Sequence, residues 1–273
     1  MNATTVDAFG QTTGQRGAGK LLGLRNLVRK DTLDWRHGNR TWVVAAATTA
    51  VVILGAANTA INRWVLSSFP AEAGDGPAKV LSVAPLDNLL TGVGTQFGVI
   101  AVIFATMSLL IAERESGTLA WTISKPVSRT SVLLSKWLTA TVVLWVAAFV
   151  IPIALTSGLV TLLYGAPDPA VVIALAVAFV MVPAIFVGIT LVASTYVSNQ
   201  AAVGAIGLVL FILPSIVGGI VPAATPFFPT SIFGWAVEVS TGGPITVVTP
   251  VAWAIGMTIL FVLGRRRLAD MDL

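Results

Sequence analysis

The sequence predicts an all-α integral membrane protein with six transmembrane helices. Of its 273 residues, 56% are hydrophobic and only 10% are charged, whereas an average soluble domain is ~25% charged. The mean hydropathy is +0.90, so too few charges exist to cover a water-soluble globule. Long stretches of the chain carry no charge at all. We therefore expect lipid to be the solvent for most of this protein.

The uncharged stretches define the spans in order. One crossing of the ~30 Å hydrocarbon core needs about 20 apolar residues. Three separate stretches supply one span each, and the 69 uncharged residues from Pro169 to Val237 supply two, joined by polar residues near 196–200. A last apolar stretch precedes the basic C-terminus. The predicted spans are residues 41–62, 92–112, 133–163, 170–195, 201–221 and 247–264, which together make a transmembrane domain over 41–264.

The Lys and Arg residues predict the orientation of these spans. Six spans place both termini on one side, and 14 of the 16 basic residues lie in the N-terminus, the 113–136 loop and the C-terminus. Only Arg63 and Lys79 fall on the other side. Because cytoplasmic segments are enriched in Lys and Arg, we expect both termini to be cytoplasmic in a multi-pass protein of the plasma membrane. The pI of 9.9 then reflects topology, and no nucleic-acid partner is predicted.

The segments that flank the spans are predicted from their composition. Residues 1–19 are rich in Gly, Thr and Gln and are typical of a disordered cytoplasmic tail. Residues 265–273 form a second, short cytoplasmic tail. Over 20–37, Trp35 and four other residues recur at steps of three and four and predict an amphipathic helix along the cytoplasmic headgroups. The alternative is a helix that caps a neighbouring subunit. The other four residues are Leu21, Leu24, Val28 and Thr32.

Several chemistries are disfavoured by composition. The chain has no cysteine and one histidine, which leaves little for a metal site or thiol catalysis. Gly14, Gly19 and Lys20 match part of a phosphate loop, but Leu21 replaces the hydroxyl that would bind Mg²⁺. We therefore predict no catalytic residue, no metal and no cofactor bound by this chain. A proton- or sodium-coupled transporter usually places ionisable groups at mid-bilayer, where this sequence has none.

The longest predicted cytoplasmic loop carries the most informative motif, ERESGTLAWTISKPVSR, over residues 113–129. Gly117 can end the second span, Pro126 ends any short helix within 118–124, and Ser128 or Ser131 can cap the next helix. The pattern predicts a short helix across the membrane face that presents apolar residues within a ring of charges. Such a helix can enter a partner's groove, although an ordinary interfacial loop is the equal alternative. Its apolar residues are Leu119, Trp121 and Ile123, and the charges are Glu113, Arg114, Glu115, Lys125 and Arg129.

This loop, with a lysine in register at position 136, resembles the E-x-E-x-G-T-L … P-V-S-R loop of permease subunits of type-2 ATP-binding-cassette (ABC) exporters. The resemblance implies that the coupling loop 113–130 docks on a separate ATPase subunit, which binds the ATP and Mg. It also implies a second permease, either a copy of this chain or a paralogue. The implied ATPase contacts are Glu113, Arg114, Glu115, Gly117, Thr118, Leu119, Trp121 and Ile123, and the implied loop and third-span entry residues are Pro126, Ser128, Arg129 and Lys136.

Helix-breaking residues and aromatic side chains suggest where the spans bend and where substrate leaves. Pro152, Pro183 and Pro214 interrupt spans three, four and five and permit kinks, which serve either packing or gating. The family resemblance implies that residues 222–246 form a re-entrant segment in the outer leaflet. The residues expected to shape its exit are Phe227, Phe228, Phe233 and Trp235.

The resemblance implies export of substrate from the cytoplasm or inner leaflet. An uncharged cavity lined by Phe, Trp, Thr and Ser favours an apolar or amphipathic substrate such as a lipid, an antibiotic or another drug. Membrane lipid is then an expected partner. Two alternatives of other classes remain, namely a non-transporting membrane anchor or scaffold for a cytoplasmic protein, and a channel.

Overall fold

The computed structural model describes residues 21–68, 94–125, 127–164, 166–240 and 246–270, and these ranges contain helices and no β-strand. The α-helices are α1 Leu24–His37, α2 Asn39–Ser68, α3 Gly94–Thr106, α4 Leu109–Glu115, α5 Thr118–Ile123, α6 Arg129–Trp145, α7 Ile151–Tyr164, α8 Pro169–Ala178, α9 Met181–Tyr196, α10 Gln200–Ile220, α11 Ser231–Ser240 and α12 Val248–Ala269. A π-helical turn at Val146–Val150 joins α6 to α7, and a 3₁₀ helix at Pro222–Phe227 follows α10. The predicted tail 1–19 lies outside the described residues.

Within the ranges that the structure describes, five helical stretches are long and apolar enough to cross a membrane, and they correspond to the predicted spans two to six. In the first predicted span, the apolar stretch Asn39–Gly55 within α2 is shorter than a crossing, so that span stays a prediction. The integral-membrane character and the helical class are confirmed. The five stretches are Gln96–Glu115, Arg129–Leu162, Pro169–Tyr196, Gln200–Ile220 and Val248–Ala269.

The last helix extends beyond its predicted end at residue 264. It continues through the three arginines to Ala269, because arginine favours the helix and basic side chains suit a helix C-terminus. The guanidinium of Arg129 donates to the carbonyls of Leu268 and Ala269 at 2.6 and 2.7 Å. Most of the predicted C-terminal tail is therefore helical and tied to the start of α6.

Of the three prolines predicted to bend spans, Pro152 and Pro183 coincide with departures from regular α-helix. Pro183 lacks the N–H that would bond to the carbonyl of Phe179, and its ring crowds that carbonyl. The fourth span is accordingly interrupted at residues 179 and 180, where the Val182 amide donates to the Phe179 carbonyl three residues back, at 3.2 Å. Pro152 follows the π-helical turn, in which the Ile151 amide reaches the carbonyl five residues earlier. Pro214 lies inside α10, which runs past it to Ile220.

Helix α9 is the centre of the packing. Fourteen of its sixteen residues are buried, and it packs against α3, α6, α10 and α12. Gly188 permits the close approach of α6, since a Cβ there would overlap the indole of Trp137. That indole donates to the Ala184 carbonyl at 2.7 Å. A buried hydrogen bond of 2.8 Å from Thr190 to Thr106 joins α9 to α3. The second, third, fourth and last spans thus share one core.

Candidate functional site

The short helix α5 lies in the loop between the second and third spans. It begins after Gly117, whose φ of 69° places it in the left-handed region that glycine adopts most readily. The Ser116 and Thr118 hydroxyls both reach the Glu113 carbonyl, at 3.4 and 3.3 Å. The predicted short helix at 118–124 is therefore present, and the local turn chemistry separates it from α4.

One side of α5 is anchored in the protein. The side chain of Leu119 is fully buried in a small cluster with Leu27 of α1, Leu110 of α4 and Val132 of α6. Ile123 packs against the same cluster. Leu119, predicted as a contact residue for a partner, therefore faces inward. Its packing ties α5 to the ends of both neighbouring spans and to the N-terminal helix.

The other side of α5 is exposed and carries an aromatic residue. Trp121 is 64% exposed, and the Lys125 ammonium lies 3.4 Å from the centre of its ring. Glu115 and Thr118 are also exposed. We call Glu115, Thr118, Trp121 and Lys125 the exposed face of α5. Tryptophan is enriched in protein–protein interfaces relative to the rest of the surface, which makes this face a candidate docking surface.

Residues on both sides of α5 contact other parts of the chain. Pro126 lies outside the described residues. Ser128 caps α6 by accepting from the Ser131 amide at 3.0 Å, as one of the two predicted caps. Arg129 holds the end of α12, and Arg114 donates to the Ser194 carbonyl of α9 at 3.2 Å. Arg114 and Arg129 thus connect the loop between the second and third spans to the C-terminal ends of α9 and α12.

Four charged residues from three helices meet behind α5. The Lys136 ammonium lies 2.8 Å from Glu113 and 3.7 Å from Asp31, and Lys30 lies 3.1 Å from Glu113. The side chains of Lys136 and Asp31 are each 8% exposed, that of Glu113 is 17% exposed and that of Lys30 is 42% exposed. We call Lys30, Asp31, Glu113 and Lys136 the charged cluster. It joins α1 to the helices that precede and follow α5.

The two α1 residues of the charged cluster, Lys30 and Asp31, differ in how their surroundings affect their charged forms. Burial raises the pKa of Asp31, although the Lys136 ammonium and the Ser135 hydroxyl act in the opposite direction. Burial alone would lower the pKa of Lys30, but the Glu113, Asp31 and Asp34 carboxylates together outweigh burial, and the pKa of Lys30 is raised. The carboxylates around Lys30 therefore favour its charged form, whereas burial disfavours the charged form of Asp31.

Sequence reasoning missed Lys30 and Asp31 as site residues. The buried face of α1 contains Leu27, Asp31 and Trp35, whereas Leu21 and Thr32 of the predicted stripe are exposed. A signal was available, because Asp31 stands four residues from both Leu27 and Trp35 and so shares their helix face. An acidic residue on an apolar face requires a buried partner, and Lys136 is that partner.

The predicted exit residues are spread between exposed and packed positions. Phe227 is 65% exposed and Phe228 is half-buried. Phe233 packs edge-on against Phe179 at 5.7 Å, and the Trp235 indole donates to the Thr246 carbonyl at 2.8 Å. Phe233 therefore contributes to the core. Part of the predicted 222–246 segment, residues 241–245, lies outside the described residues.

Comparison with known families supplies a match over most of the chain. The family model described as "ABC-2 family transporter protein" matches residues 25–233. This range begins in α1 and includes α5, the charged cluster and α9. A comparison with curated proteins gave no match.

Proposed function

The chain belongs to the ABC-2 family of transporter proteins, and on that premise we propose that it is the permease subunit of an ATP-driven exporter that moves an apolar or amphipathic substrate out of the cytoplasm or inner leaflet. Membership in the family makes it a multi-pass membrane protein of the plasma membrane. It also implies association with an ABC ATPase subunit. In this proposal both termini and α5 are cytoplasmic, and a second copy or a paralogue completes the pair of permeases.

The observation that carries the proposal is the two-sided character of α5. Trp121 is 64% exposed on one side, and Leu119 is fully buried on the other. Tryptophan is enriched among the residues that dominate protein–protein binding energies. We infer that Trp121, with Glu115 and Thr118, contacts the ATPase, and that Glu113 and Leu119 support this surface from inside.

The anchoring of α5 provides a route for mechanical coupling. Leu119 contacts residues of α1, α4 and α6, and Glu113 and Lys136 join the same helices through a short ion pair. A displacement of α5 by the ATPase would therefore move the ends of the second and third spans together. ATP and Mg would bind on the ATPase, and this chain would supply the path for the substrate.

The experiment compares two tryptophans with similar exposure. Trp121→Ala removes the indole from the exposed face of α5, whereas Trp42→Ala removes a 72% exposed tryptophan of α2 and serves as the control. Glu115→Lys tests the charge on the same face without disturbing the charged cluster. The cognate ATPase subunit is co-purified with each variant, and ATPase stimulation is measured. Transport of an NBD-labelled phospholipid and of a fluorescent lipophilic cation is followed in inverted vesicles.

We expect Trp121→Ala to weaken ATPase binding about 30-fold or more, the ~2 kcal/mol typical of a dominant interface residue. Stimulated ATPase activity and transport should fall with it, and Trp42→Ala should resemble the unmodified chain. Loss of binding in a system that never transports would support the scaffold alternative. Conductance in a planar bilayer without ATP would support a channel. Unchanged binding by both Trp121→Ala and Glu115→Lys would contradict the proposed docking surface.

A further inference from the structure

Two arginines beside α5 bond to the ends of two other spans. Arg114 stands four residues before α5 and donates to the Ser194 carbonyl of α9 at 3.2 Å. Arg129 is the first residue of α6, and its Nη1 donates to the carbonyls of Leu268 and Ala269 in α12, at 2.6 and 2.7 Å. The loop that contains α5 is therefore bonded to the fourth span before α5 and to the last span after it.

The carbonyls that accept these bonds lie where their own helices supply no donor. The last carbonyls of an α-helix lack an amide partner within the helix and form the negative end of its dipole. In α9 the C-cap amide bonds to Ala193, one residue before Ser194. In α12 the C-cap amide bonds to Arg266 and Arg267, the latter one residue before Leu268. Each guanidinium thus supplies a charge-assisted donor at a helix end that requires one.

The ends of α6, α9 and α12 pack closely against each other. A Cβ on Gly264 of α12 would lie 3.1 Å from the Val192 side chain of α9 and 3.2 Å from the Leu133 side chain of α6. Ser194 and Leu268, whose carbonyls accept from the arginines, are each 1% exposed. A displacement of either arginine therefore acts on buried, close-packed backbone.

These bonds connect α5 to helices that its other anchors do not involve. Leu119 packs with side chains of α1, α4 and α6, and the charged cluster joins the same three helices. Arg114 and Arg129 add α9 and α12. We propose that Arg114 and Arg129 are positioning residues that transmit a displacement of α5 to the ends of the fourth and last spans. This role rests on the proposed function, because the ATPase is what displaces α5.

The two arginines are separate from the exposed face of α5. Both are half-buried, and their guanidinium groups bond to the backbone of this chain, whereas Trp121 is 64% exposed. Removing either guanidinium therefore leaves the exposed face of α5 in place. Docking of the ATPase and transmission of its movement can thus be measured as separate effects.

The experiment removes each guanidinium in the complex of the full chain with its cognate ATPase subunit. Arg129→Met and Arg114→Met keep an apolar stem and remove the donors, and Arg129→Lys keeps the charge. Arg36→Met is the matched control, because Arg36 is an exposed arginine whose side chain has no hydrogen bond or ion pair with the described part of the chain. ATPase binding, the melting temperature and transport of an NBD-labelled phospholipid and a fluorescent lipophilic cation are measured for each variant.

A second measurement follows the movement itself. The chain contains no cysteine, so Ser124→Cys and Asp270→Cys place spin labels only at two exposed positions, one after α5 and one at the end of α12. Pulsed electron paramagnetic resonance gives the distance between the labels without nucleotide and with ATP plus vanadate. Labelled chain is diluted with excess unlabelled chain, so that one permease of a pair carries the labels.

We expect Arg129→Met and Arg114→Met to bind the ATPase within about twofold of the unmodified chain and to transport at least about tenfold less, the effect of one hydrogen bond to a charged group. Arg129→Lys should recover part of the transport, since an ammonium also donates to carbonyls. The label distance should be the same in both nucleotide states of the unmodified chain. It should shift between those states in Arg129→Met, because α12 no longer follows α5.

Three results would overturn the proposal. These are transport by both methionine variants equal to that of Arg36→Met, loss of ATPase binding as large as in Trp121→Ala, and a label distance that responds to ATP equally with and without Arg129. The second result would make the arginines docking residues. Melting temperatures identify a variant that fails to fold, and Arg129→Lys then carries the test through reduced transport at unchanged ATPase binding.

The outcomes also separate this role from the proposed function. If the unmodified chain neither binds the ATPase nor transports, the proposed function fails and the role of the arginines fails with it. If the unmodified chain does both and the arginine variants match Arg36→Met, only the role of the arginines fails.

Discussion

Lys136→Met tests whether the charged cluster holds the N-terminal helix to the spans around α5. The ammonium of Lys136 lies between Asp31 and Glu113, and its side chain is 8% exposed. Its removal leaves two carboxylates facing Lys30, which is 42% exposed. Removing one partner of a buried ion pair costs about 3–5 kcal/mol. Since 1 kcal/mol shifts the melting temperature by ~2–4 °C in a chain of this size, we expect a decrease of roughly 6–20 °C.

The assay is thermal unfolding in detergent, followed by tryptophan fluorescence and by size-exclusion chromatography after heating. Lys30→Met is the matched control and should cost no more than about 1 kcal/mol, because exposed ion pairs contribute little. Replacing both acids as well, in Asp31→Asn/Glu113→Gln/Lys136→Met, should recover most of the loss, since no unpaired charge remains buried. Equal stability of the Lys136→Met and Lys30→Met variants would refute the reasoning, because the buried pair would then contribute no more than the exposed one.

Three further predictions concern single positions. Gly188→Ala places a Cβ against the Trp137 indole and should destabilise the chain by about 1–3 kcal/mol, measured as a lower melting temperature. Gly117→Ala has open space around it but a φ of 69°, so it should cost ~1–2 kcal/mol, whereas the helical control Gly158→Ala should be neutral or stabilising. Burial raises the pKa of Asp31 in the fold, so the stability that proton binding provides is complete below the ordinary aspartate pKa and is lost as pH rises through the raised value. The melting temperature of the unmodified chain relative to Asp31→Asn should therefore fall over that window, and a constant difference from pH 4 to 8 would contradict it.

The short helix α5 shows how far sequence reasoning reached. Local turn chemistry predicts a short helix after Gly117 and a cap for the next helix at Ser128 or Ser131, and the structure has the short helix and the Ser128 cap. The sequence also named Leu119 and Trp121 as one apolar group. Only packing separates them, because Leu119 meets side chains from three other helices while Trp121 stays exposed. No local pattern states which side of a six-residue helix those distant helices cover.

The charged residues also show which features the sequence predicts and which depend on the tertiary structure. The sequence places Glu113 and Lys136 in one basic segment, and the family resemblance implies that Glu113 contacts a partner. In the structure Glu113 bonds to Lys30, 83 residues away along the chain, and Asp31 lies buried beside Lys136. Asp31 is not part of the stripe that the sequence predicts for α1, and its partner Lys136 stands on a helix more than 100 residues later.

The sequence by itself determined that this chain is a helical membrane protein and where most of its spans lie, and it led to the proposal that the 113–130 loop docks on a partner. The spans can be predicted because each must be long enough to cross the bilayer and apolar enough to lie in it. The loop features can be predicted because capping and turn preferences act within a few residues. The tertiary structure alone decided which side of α5 is exposed and which acids are buried. Those outcomes depend on contacts between residues far apart in the chain, whose pairing is chosen by the packing of whole helices around α9.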